Sequence, residues 1–395
     1  MKRMKLELFR LSDHQSSSMS FDFDTIIPRR GTGNIKYDRR MDLDPFWVAD
    51  MDFASAPCIL EALHQRVDHG IFGYAMAHQG LDEAIRRYLL SRHGYDAQID
   101  EILHLGGLVP ALSLAARAFC KPGEAVMTCI PVYPPFIAVH HDADATLITV
   151  EHMKIDGEWS FDWEAMERAV TPKTKVFIFC NPQNPTGRVF PQADVLKLAE
   201  FCERHDLIMV SDEIHCDLIL DPGANHYSAL RLPEPYSSRT ITLLSPSKTW
   251  NIAGLGYAYA VIPNDTLRRR FASSRGHTLA EINTLSYYAA EAAYKDGEPW
   301  RLELIHYLRS NRDFLVDYIN SECPGLEAET NEATYLAWID ASKTGLEKPA
   351  DHFEKKAKLF LSEGSHFGWK NHFRFNFACP RSRMIEGLEK IKKAL

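Results

Sequence analysis

Short apolar runs alternate with longer amphipathic stretches through the middle of this chain. Apolar runs predict buried strands and amphipathic stretches predict helices, so the alternation is typical of a mostly parallel sheet covered by helices. The predicted strands are Ala125–Ile130, Lys175–Cys180, Leu207–Ser211, Thr240–Leu244 and Tyr257–Ile262. The predicted helices are Ala111–Cys120, Pro191–His205 and Asp265–Arg275. We therefore expect an α/β fold that binds its ligand at the carboxyl ends of the strands.

The last third of the chain lacks this regular alternation. Its pattern predicts, in order, a helix, a strand, a helix and a strand at Pro299–Glu322, Thr334–Asp340, Ala350–Glu363 and His372–Cys379. We therefore predict a large domain over residues 54–295 and a smaller α+β domain over residues 296–395. Residues 21–53 are expected to pack on the smaller domain, and the Ser-rich residues 1–20 to form a disordered tail.

Composition narrows the class of protein. The 395 residues carry a formal net charge of −8, which argues against nucleic-acid binding because that binding depends on neutralising phosphates. No apolar run approaches the roughly 18 residues that predict a membrane span. The eight cysteines form no CxxC pair, and no HExxH motif occurs, so we expect neither a disulfide framework nor a metal site. Unpaired cysteines favour a reducing, cytoplasmic location.

One predicted strand runs directly into a turn that carries a lysine between hydroxyl side chains, Ser245-Pro246-Ser247-Lys248-Thr249. Lysine forms imines with carbonyl compounds when its surroundings keep it from holding a proton permanently. Ser245 and Ser247 could donate to a phosphate, although the glycines of a nucleotide P-loop are missing upstream. A solvated turn without chemistry is the alternative for so short a pattern.

Other predicted turns carry complementary groups. Asp212 ends an apolar strand, where a buried carboxylate needs a partner, although it could also cap the next turn. Asn184 lies between two Asn-Pro steps that force an irregular backbone. Gly107 and Leu108 open a predicted helix, whose free amides favour a phosphate. A lysine, an acid, an amide and a helix start together match what pyridoxal phosphate requires.

Longer motifs extend this hypothesis over nearly the whole chain. They are Arg29–Gly33, Trp47–Phe53, Gly70–Tyr74, Pro131–Phe136, Ser211–His215, Ser245–Thr249 and Arg374–Arg381. In these motifs the chain, from about Phe21 onward, resembles the fold-type I pyridoxal-phosphate enzymes of the class I/II aminotransferase family. Within that family it is most similar to the cystathionine β-lyase-like carbon–sulfur lyases.

The resemblance implies a role for each matching position. Lys248 would bind the cofactor covalently and act as the base at the substrate Cα, while Asp212 would pair with the pyridinium nitrogen. The other implied contacts are Asn184 on the phenolic oxygen, Tyr133 on the ring face, and Gly107, Leu108, Ser245 and Ser247 at the phosphate. Tyr74 would reach the phosphate from a neighbouring subunit, which implies a homodimer. Arg374 would bind the substrate carboxylate, with the backbone of Ala49 as a further donor.

The sequence also departs from the wider aminotransferase family. His215, expected to contact the cofactor, stands where many aminotransferases carry a tyrosine, and in this it resembles the lyase branch. Gly256 stands where an arginine commonly binds the phosphate, so hydroxyl and amide groups must hold that group instead. The segment Gly364–Phe373 lacks the extra glycines expected before Arg374, which could reshape the substrate entrance.

The activity that the resemblance implies is β-elimination from L-cystathionine or a related cysteine S-conjugate, giving a thiol, pyruvate and ammonia. An L-amino-acid aminotransferase is the alternative, because the two reactions share their early steps. A cofactor-binding regulator without turnover is a third hypothesis. The sequence leaves open which thiol departs and whether the assembly exceeds a dimer.

Overall fold

The computed structural model describes residues 20–277 and 279–395 of the chain. The predicted tail at residues 1–20 lies, except for Ser20, outside the described residues. The strands are β1 (Asp44–Pro45), β2 (Ile102–Leu105), β3 (Ala125–Ile130), β4 (Thr146–Glu151), β5 (Met153–Ile155), β6 (Glu158–Ser160), β7 (Thr174–Cys180), β8 (Ile208–Asp212), β9 (Thr240–Leu244), β10 (Ala258–Val261), β11 (Glu327–Ala328), β12 (Leu336–Asp340), β13 (Leu359–Phe360), β14 (Ser362–Glu363) and β15 (His372–Asn376).

The helices connect these strands and cover the sheets. They are α1 (Ile35–Asp38), α2 (Pro57–Asp68), α3 (Gln79–His93), α4 (Leu108–Phe119), α5 (Pro134–Ala138), α6 (Trp163–Ala169), α7 (Gln192–Arg204), α8 (Asp265–Ser273), α9 (Thr284–Asp296), α10 (Glu298–Glu322), α11 (Pro349–Ala357) and α12 (Arg381–Ala394). Among the described residues, none of these helices combines the length and the apolar character that crossing a bilayer requires.

The larger sheet has the strand order β2-β10-β9-β8-β7-β3-β4. Neighbours from β9 to β4 are parallel, whereas β10 runs antiparallel to both β9 and β2. All five residues of β9 are buried, as expected for a central strand with helices on both faces. The predicted α/β fold is confirmed. The sequence pattern missed the edge strands β2 and β4, because β2 has only four residues and is interrupted by His104, while only one of the six residues of β4 is buried.

The smaller sheet is antiparallel, with the order β11-β12-β15-β14. Its strands β12 and β15 were predicted, but the predicted helix Ala350–Glu363 is wrong over its second half. Helix α11 ends at Ala357, and Lys358 adopts a left-handed backbone with φ of 57°. Leu359 and Leu361 are then buried on alternate positions of an extended chain. Alternation with period two is a strand signal that the helical assignment overlooked.

The N-terminal segment contacts both sheets. Strand β1 pairs in parallel with β13, and the ring of Phe46 stacks on Phe375 with centroids 4.4 Å apart. The side chain of Asn251, in the turn region after β9, binds the backbone of Met51 and Phe53. The segment is therefore held by the smaller sheet on one hand and by the turn that follows β9 on the other, and the domain boundaries given above stay a prediction.

The junction between α9 and α10 packs tightly against the turn after β9. Trp250 Nε1 donates to the carbonyl of Gly297, 3.0 Å away. A Cβ at position 297 would lie only 2.4 Å from the same nitrogen, so glycine is required by close approach there. The first turn of α10, the longest helix described, is thereby fixed to the segment that follows Lys248.

Candidate active site

A cavity of about 250 Å³ lies at the carboxyl ends of the central strands, beside the start of α4. It brings together most of the residues predicted for the site, namely Ala49, Gly107, Leu108, Tyr133, Asn184, Asp212, His215, Ser247 and Lys248. Three predicted residues do not line it, namely Tyr74, Ser245 and Arg374. The position agrees with the rule that open α/β sheets bind ligands at the carboxyl ends of their strands.

Lys248 lies in the turn after β9 and points into the cavity. Its Nζ donates to the carbonyl oxygen of Ala49 at 2.7 Å, which crosses from the central sheet to the N-terminal segment. Burial lowers the pKa of Lys248 to about 8, against the opposing effect of Asp50 and with a smaller lowering effect from Arg374. This amine therefore loses its proton much closer to neutral pH than an ordinary lysine does, which favours its use as a nucleophile or base.

Asp212 is the last residue of β8 and is fully buried in the cavity wall. Its Oδ1 accepts a hydrogen bond from the backbone nitrogen of Ile214 at 3.0 Å. Burial raises the pKa of Asp212 to about 7. Among the ion pairs of the described residues, no cation lies within 4.0 Å of this carboxylate. A buried acid of this kind is ready to pair with a cationic ligand group, which would hold it ionised.

The neighbouring residue, Glu213, faces away from the cavity and fixes the end of β8. Its carboxylate accepts hydrogen bonds from Ser211 Oγ at 3.0 Å, the backbone nitrogen of Ala229 at 2.7 Å and His226 Nε2 at 2.9 Å. This network locks the backbone on which Asp212 sits. Sequence reasoning assigned no role to Glu213, because two of its three partners, His226 and Ala229, follow 13 and 16 positions later in the chain.

Arg374 lies on β15, directly behind Asn184. Its Nη1 donates to Asn184 Oδ1 at 2.8 Å, and its Nη2 donates to the carbonyl of Trp47 at 2.7 Å. The guanidinium also lies 4.9 Å from the ring centroid of Phe367. Asn376, two positions along β15, binds the same N-terminal segment, so the two side chains share one face of the strand.

The charge of Arg374 is left uncompensated. The residue is buried, and burial lowers its pKa to about 10. Its Nε has no hydrogen-bond partner, and no carboxylate lies within 4.0 Å of its guanidinium among the ion pairs of the described residues. A buried charge without a counter-ion is costly, which is why such groups usually bind one. A ligand carboxylate is the natural counter-ion for this planar, two-pronged donor.

Helix α4 begins at Leu108 on the opposite side of the cavity. Gly107 precedes it without a capping side chain, so the first amide groups of the helix have no side-chain acceptor. A Cβ at Gly256 would come within 3.1 Å of the carbonyl of Gly106, so the two glycine backbones pass close together. An uncapped helix start bordered by close glycine backbone suits a phosphate.

The two predicted serines occupy different positions. Ser247 lines the cavity, whereas Ser245 Oγ lies 2.6 Å from the carbonyl of Tyr257 and 2.8 Å from Ser247 Oγ. Ser245 is therefore directed inward and orients Ser247, and its own contact with a phosphate stays a prediction.

The remaining predicted residues are two at the cavity, Tyr133 and His215, and one exposed residue, Tyr74. Tyr133 lines the cavity at the start of α5, and burial raises its pKa. Burial, with smaller effects from Lys248 and Arg374, lowers the pKa of His215 to about 3, and its Nδ1 has no partner. Tyr74 is fully exposed and away from the cavity of its own chain, so its predicted role requires a second subunit.

The residues present fit pyridoxal phosphate. The cavity offers a buried amine, a buried acid without a close cation and an uncapped helix start, which correspond to the aldehyde, ring nitrogen and phosphate of this cofactor. Sequence reasoning missed Tyr335, whose hydroxyl donates to the Ala49 carbonyl at 3.1 Å. The preceding Thr334 has φ of 70°, an unfavourable conformation for a β-branched residue that no sequence signal reveals.

Comparison with known proteins supports the same assignment. The model of the family "Aminotransferase class I and II" matches residues 46–391. Cystathionine beta-lyase PatB of Bacillus subtilis (strain 168) is 36% identical, over 95% of this chain and 100% of the relative. The crystal structure of OvoB has a TM-score of 0.92 and 40% identity, covering 95% of this chain and 99% of its own.

A third similar protein was solved with the cofactor. Cystalysin from Treponema denticola, whose structure contains pyridoxal 5'-phosphate, has a TM-score of 0.91 and 34% identity over 95% of this chain and 99% of its own. The resemblance inferred from the motifs, including that to cystathionine β-lyase-like proteins, is confirmed. The chain belongs to the class I and II aminotransferase family.

Proposed function

We propose that this protein is a pyridoxal-phosphate-dependent carbon–sulfur β-lyase. Its substrate is L-cystathionine or a related L-cysteine S-conjugate, which with water gives a thiol, pyruvate and ammonia. The observation that carries the proposal is a set of three buried groups that form no ion pair with one another: Lys248 and Asp212 line the cavity, and Arg374 lies directly behind the cavity residue Asn184. The similarity to a named cystathionine β-lyase over the full length of that relative selects elimination as the reaction.

The residues around the cavity supply each contact that the cofactor needs. Lys248 would bind the aldehyde carbon, and Asp212 would pair with the pyridinium nitrogen. The other cavity residues that would hold the cofactor are Asn184 at the phenolic oxygen, Tyr133 at the ring face, His215 in the cavity wall, and Gly107, Leu108 and Ser247 at the phosphate. Pyridoxal phosphate, when bound, draws electrons from the substrate Cα and so acidifies the proton there.

The protein's own groups then carry out the proton transfers. Arg374, behind Asn184, binds the α-carboxylate of the substrate through its two-pronged donor, and Ala49 lines the cavity as a second candidate for this contact. Lys248, with its lowered pKa, removes the proton from Cα as a general base. The same lysine can return this proton to the departing sulfur, so that the C–S bond breaks with release of a thiol.

An aminotransferase is the second candidate, because the family includes both reactions and both begin with removal of the Cα proton. The test is to incubate the cofactor-loaded protein with L-cystathionine and with other cysteine S-conjugates, measuring pyruvate and free thiol. Equal amounts of both are expected. Transfer of the amino group to a 2-oxo acid without pyruvate would overturn the lyase proposal. A substrate-dependent change in the cofactor spectrum with no product of either kind would indicate a regulator.

We also propose a cytoplasmic homodimer. The support is an exposed apolar stretch before α3, in which Ile71, Phe72, Tyr74 and Met76 are all exposed in the single chain. Such a stretch is typical of a protein interface. Mixing two impaired variants, Tyr74→Ala and Lys248→Ala, tests the shared site: activity should be regained if Tyr74 acts across the interface, and should not be if it acts within its own chain. The cytoplasmic location is supported by eight free cysteines.

A further inference from the structure

Residues 47–53, of which Ala49 lines the cavity, form neither a helix nor a strand. Their carbonyl groups are bound by side chains instead. The Trp47 carbonyl accepts from Arg374 at 2.7 Å, and the Ala49 carbonyl accepts from Lys248 at 2.7 Å and from Tyr335 at 3.1 Å. The backbone of this segment therefore sets where the guanidinium and the amine lie when no ligand is bound.

Asn376 holds the segment from the side of the smaller sheet. Its Nδ2 donates to the carbonyls of Val48 and Asp50, the second at 2.7 Å. Its Oδ1 accepts from the backbone nitrogen of Ala378 at 2.8 Å, which fixes the orientation of the amide. Arg374 lies two positions earlier on the same strand, so one strand binds the segment at both Trp47 and Val48.

Asn251 holds the segment from the side of the larger sheet. Its Nδ2 donates to the carbonyls of Met51 at 3.0 Å and Phe53 at 2.8 Å, and its Oδ1 accepts from the backbone nitrogen of Met51 at 2.9 Å. It follows Lys248 by three positions and has φ of 57°, a left-handed conformation that asparagine tolerates better than most residues. Neither Asn251 nor Asn376 lines the cavity.

We propose that Asn376 and Asn251 are positioning residues, which hold residues 47–53 so that the carbonyls of Trp47 and Ala49 place Arg374 and Lys248 correctly. Asn376 acts mainly on Arg374, and therefore on binding of the substrate carboxylate. Asn251 acts mainly on Lys248, and therefore on proton removal. The inference rests on the proposed function, in which Arg374 binds the substrate and Lys248 is the base.

Substitution by aspartate tests this directly. Asn376→Asp and Asn251→Asp keep the shape and the accepting oxygen but lose the two N–H donors. Asn376→Asp should raise KM about tenfold with little change in kcat, and Asn251→Asp should lower kcat about tenfold with little change in KM, the size expected for one or two lost hydrogen bonds. Asn376→Ala and Asn251→Gly should show the same split, and the glycine retains the left-handed backbone.

Asn320 provides a matched control near the end of α10. Its Nδ2 donates to the Ala328 carbonyl and its Oδ1 accepts from the Ala328 nitrogen, both at 2.9 Å, in the same two-way manner. Asn320 borders a separate surface cavity rather than the candidate active site. Asn320 is exposed, so Asn320→Asp should lower Tm less than Asn376→Asp does, and it should leave kcat and KM unchanged. A merely structural role for Asn376 and Asn251 would leave kcat and KM unchanged in all three aspartate variants.

Hydrogen–deuterium exchange gives a readout that does not depend on turnover. In the full chain, peptides covering residues 47–53 should exchange faster in Asn376→Asp and Asn251→Asp than in the wild-type protein. In Asn320→Asp their exchange rate should be unchanged. The positioning proposal is overturned if both aspartate variants retain wild-type kcat and KM while the segment exchanges faster. It is also overturned if exchange in the segment is unaffected. Absence of lyase activity in the wild-type protein would instead reject the proposed function, and the exchange result would still decide whether the asparagines hold the segment.

Discussion

Two groups of buried charges lie on either side of residues 49–52, and they are arranged in opposite ways. On one side, Arg29 binds Asp50 at 2.6 Å and Asp52 at 2.5 Å, and Lys36 binds Asp52 at 3.0 Å. On the other side, Lys248 and Asp212 line the candidate cavity and Arg374 lies behind Asn184, and none of the three has a close opposite charge among the described ion pairs. The charges of the first group are neutralised by one another, whereas those of the second group require a bound ligand.

The pKa values differ accordingly. Although burial alone would raise it, the pKa of Asp52 lies below its usual value because Lys36 and Arg29 hold the carboxylate ionised. In the cavity, burial dominates and moves the pKa of Asp212 up to about 7 and that of Arg374 down to about 10. Burial of charge therefore does not by itself mark a functional site. Burial without a partner does, because the missing partner must come from a bound molecule.

The largest expected effect concerns Lys248. Lys248→Ala should reduce kcat by about a thousandfold or more, because a general base alone typically contributes 10²–10⁴-fold. The variant should also lose covalent attachment of the cofactor, measured as loss of a cofactor–peptide adduct after borohydride reduction and mass spectrometry. The surface variant Lys370→Ala serves as the control. Retention of more than about a tenth of the wild-type kcat would contradict the assigned role.

Replacing one arginine from each group sharpens the comparison. Arg29→Met leaves Asp50 and Asp52 with less compensation and should reduce the free energy of unfolding by about 3 kcal/mol. Arg374→Met removes a buried charge that has no counter-ion, so it should change the free energy of unfolding by less than about 1 kcal/mol. The same substitution should abolish substrate binding. Chemical denaturation of the cofactor-free proteins measures both. Equal destabilisation by the two substitutions would show that the groups are not distinct.

Asp212 should make the cofactor-free protein less stable as the pH rises. Its pKa is raised from 3.8 to about 7 in the folded state, so the unfolded chain releases its proton first and stability is lost between these values. Asp212→Asn should therefore stabilise the cofactor-free protein at pH 8, by on the order of 2 kcal/mol, and much less at pH 4. Denaturation curves at the two pH values provide the measurement. A pH-independent difference would contradict the raised pKa.

The smallest expected effect separates the two serines. Ser247 lines the cavity, and Ser247→Ala should weaken cofactor binding by about fivefold, the loss expected for one hydrogen bond. Ser245 is bound to the Tyr257 carbonyl, so Ser245→Ala should instead lower the free energy of unfolding by about 1 kcal/mol. Fluorescence titration with pyridoxal phosphate and thermal unfolding distinguish the two. The assignment fails if Ser245→Ala has the larger effect on affinity and the smaller on stability.

The central strands and the turns that follow them could be predicted because their signals are local. A continuous apolar run followed by Lys248 or Asp212 is visible in about ten residues of sequence, and both side chains do lie in the cavity. The same local reasoning failed at Ala350–Glu363, where a left-handed Lys358 ends the helix. A single positive φ has no reliable sequence signature outside glycine and asparagine.

The contacts that could not be predicted join positions far apart in the chain. The bond between Arg374 and Asn184 spans 190 positions, and the bond between Lys248 and the Ala49 carbonyl spans 199. The inward orientation of Ser245 depends on a carbonyl 12 positions later. Such pairings follow from the three-dimensional arrangement of the sheets, whereas a motif only indicates which residue types are available. The family resemblance indicated which residues to expect at the site, and the structure showed which partners surround each of them.

The close packing of Trp250 on Gly297 couples the lysine turn to the beginning of the longest helix described. Because no side chain fits between them, a tilt of α10 cannot be absorbed locally and must be transmitted to the residues beside Lys248. A methyl group added at position 297 would therefore push Trp250 aside and displace the turn that carries Lys248, although Gly297 itself does not line the cavity.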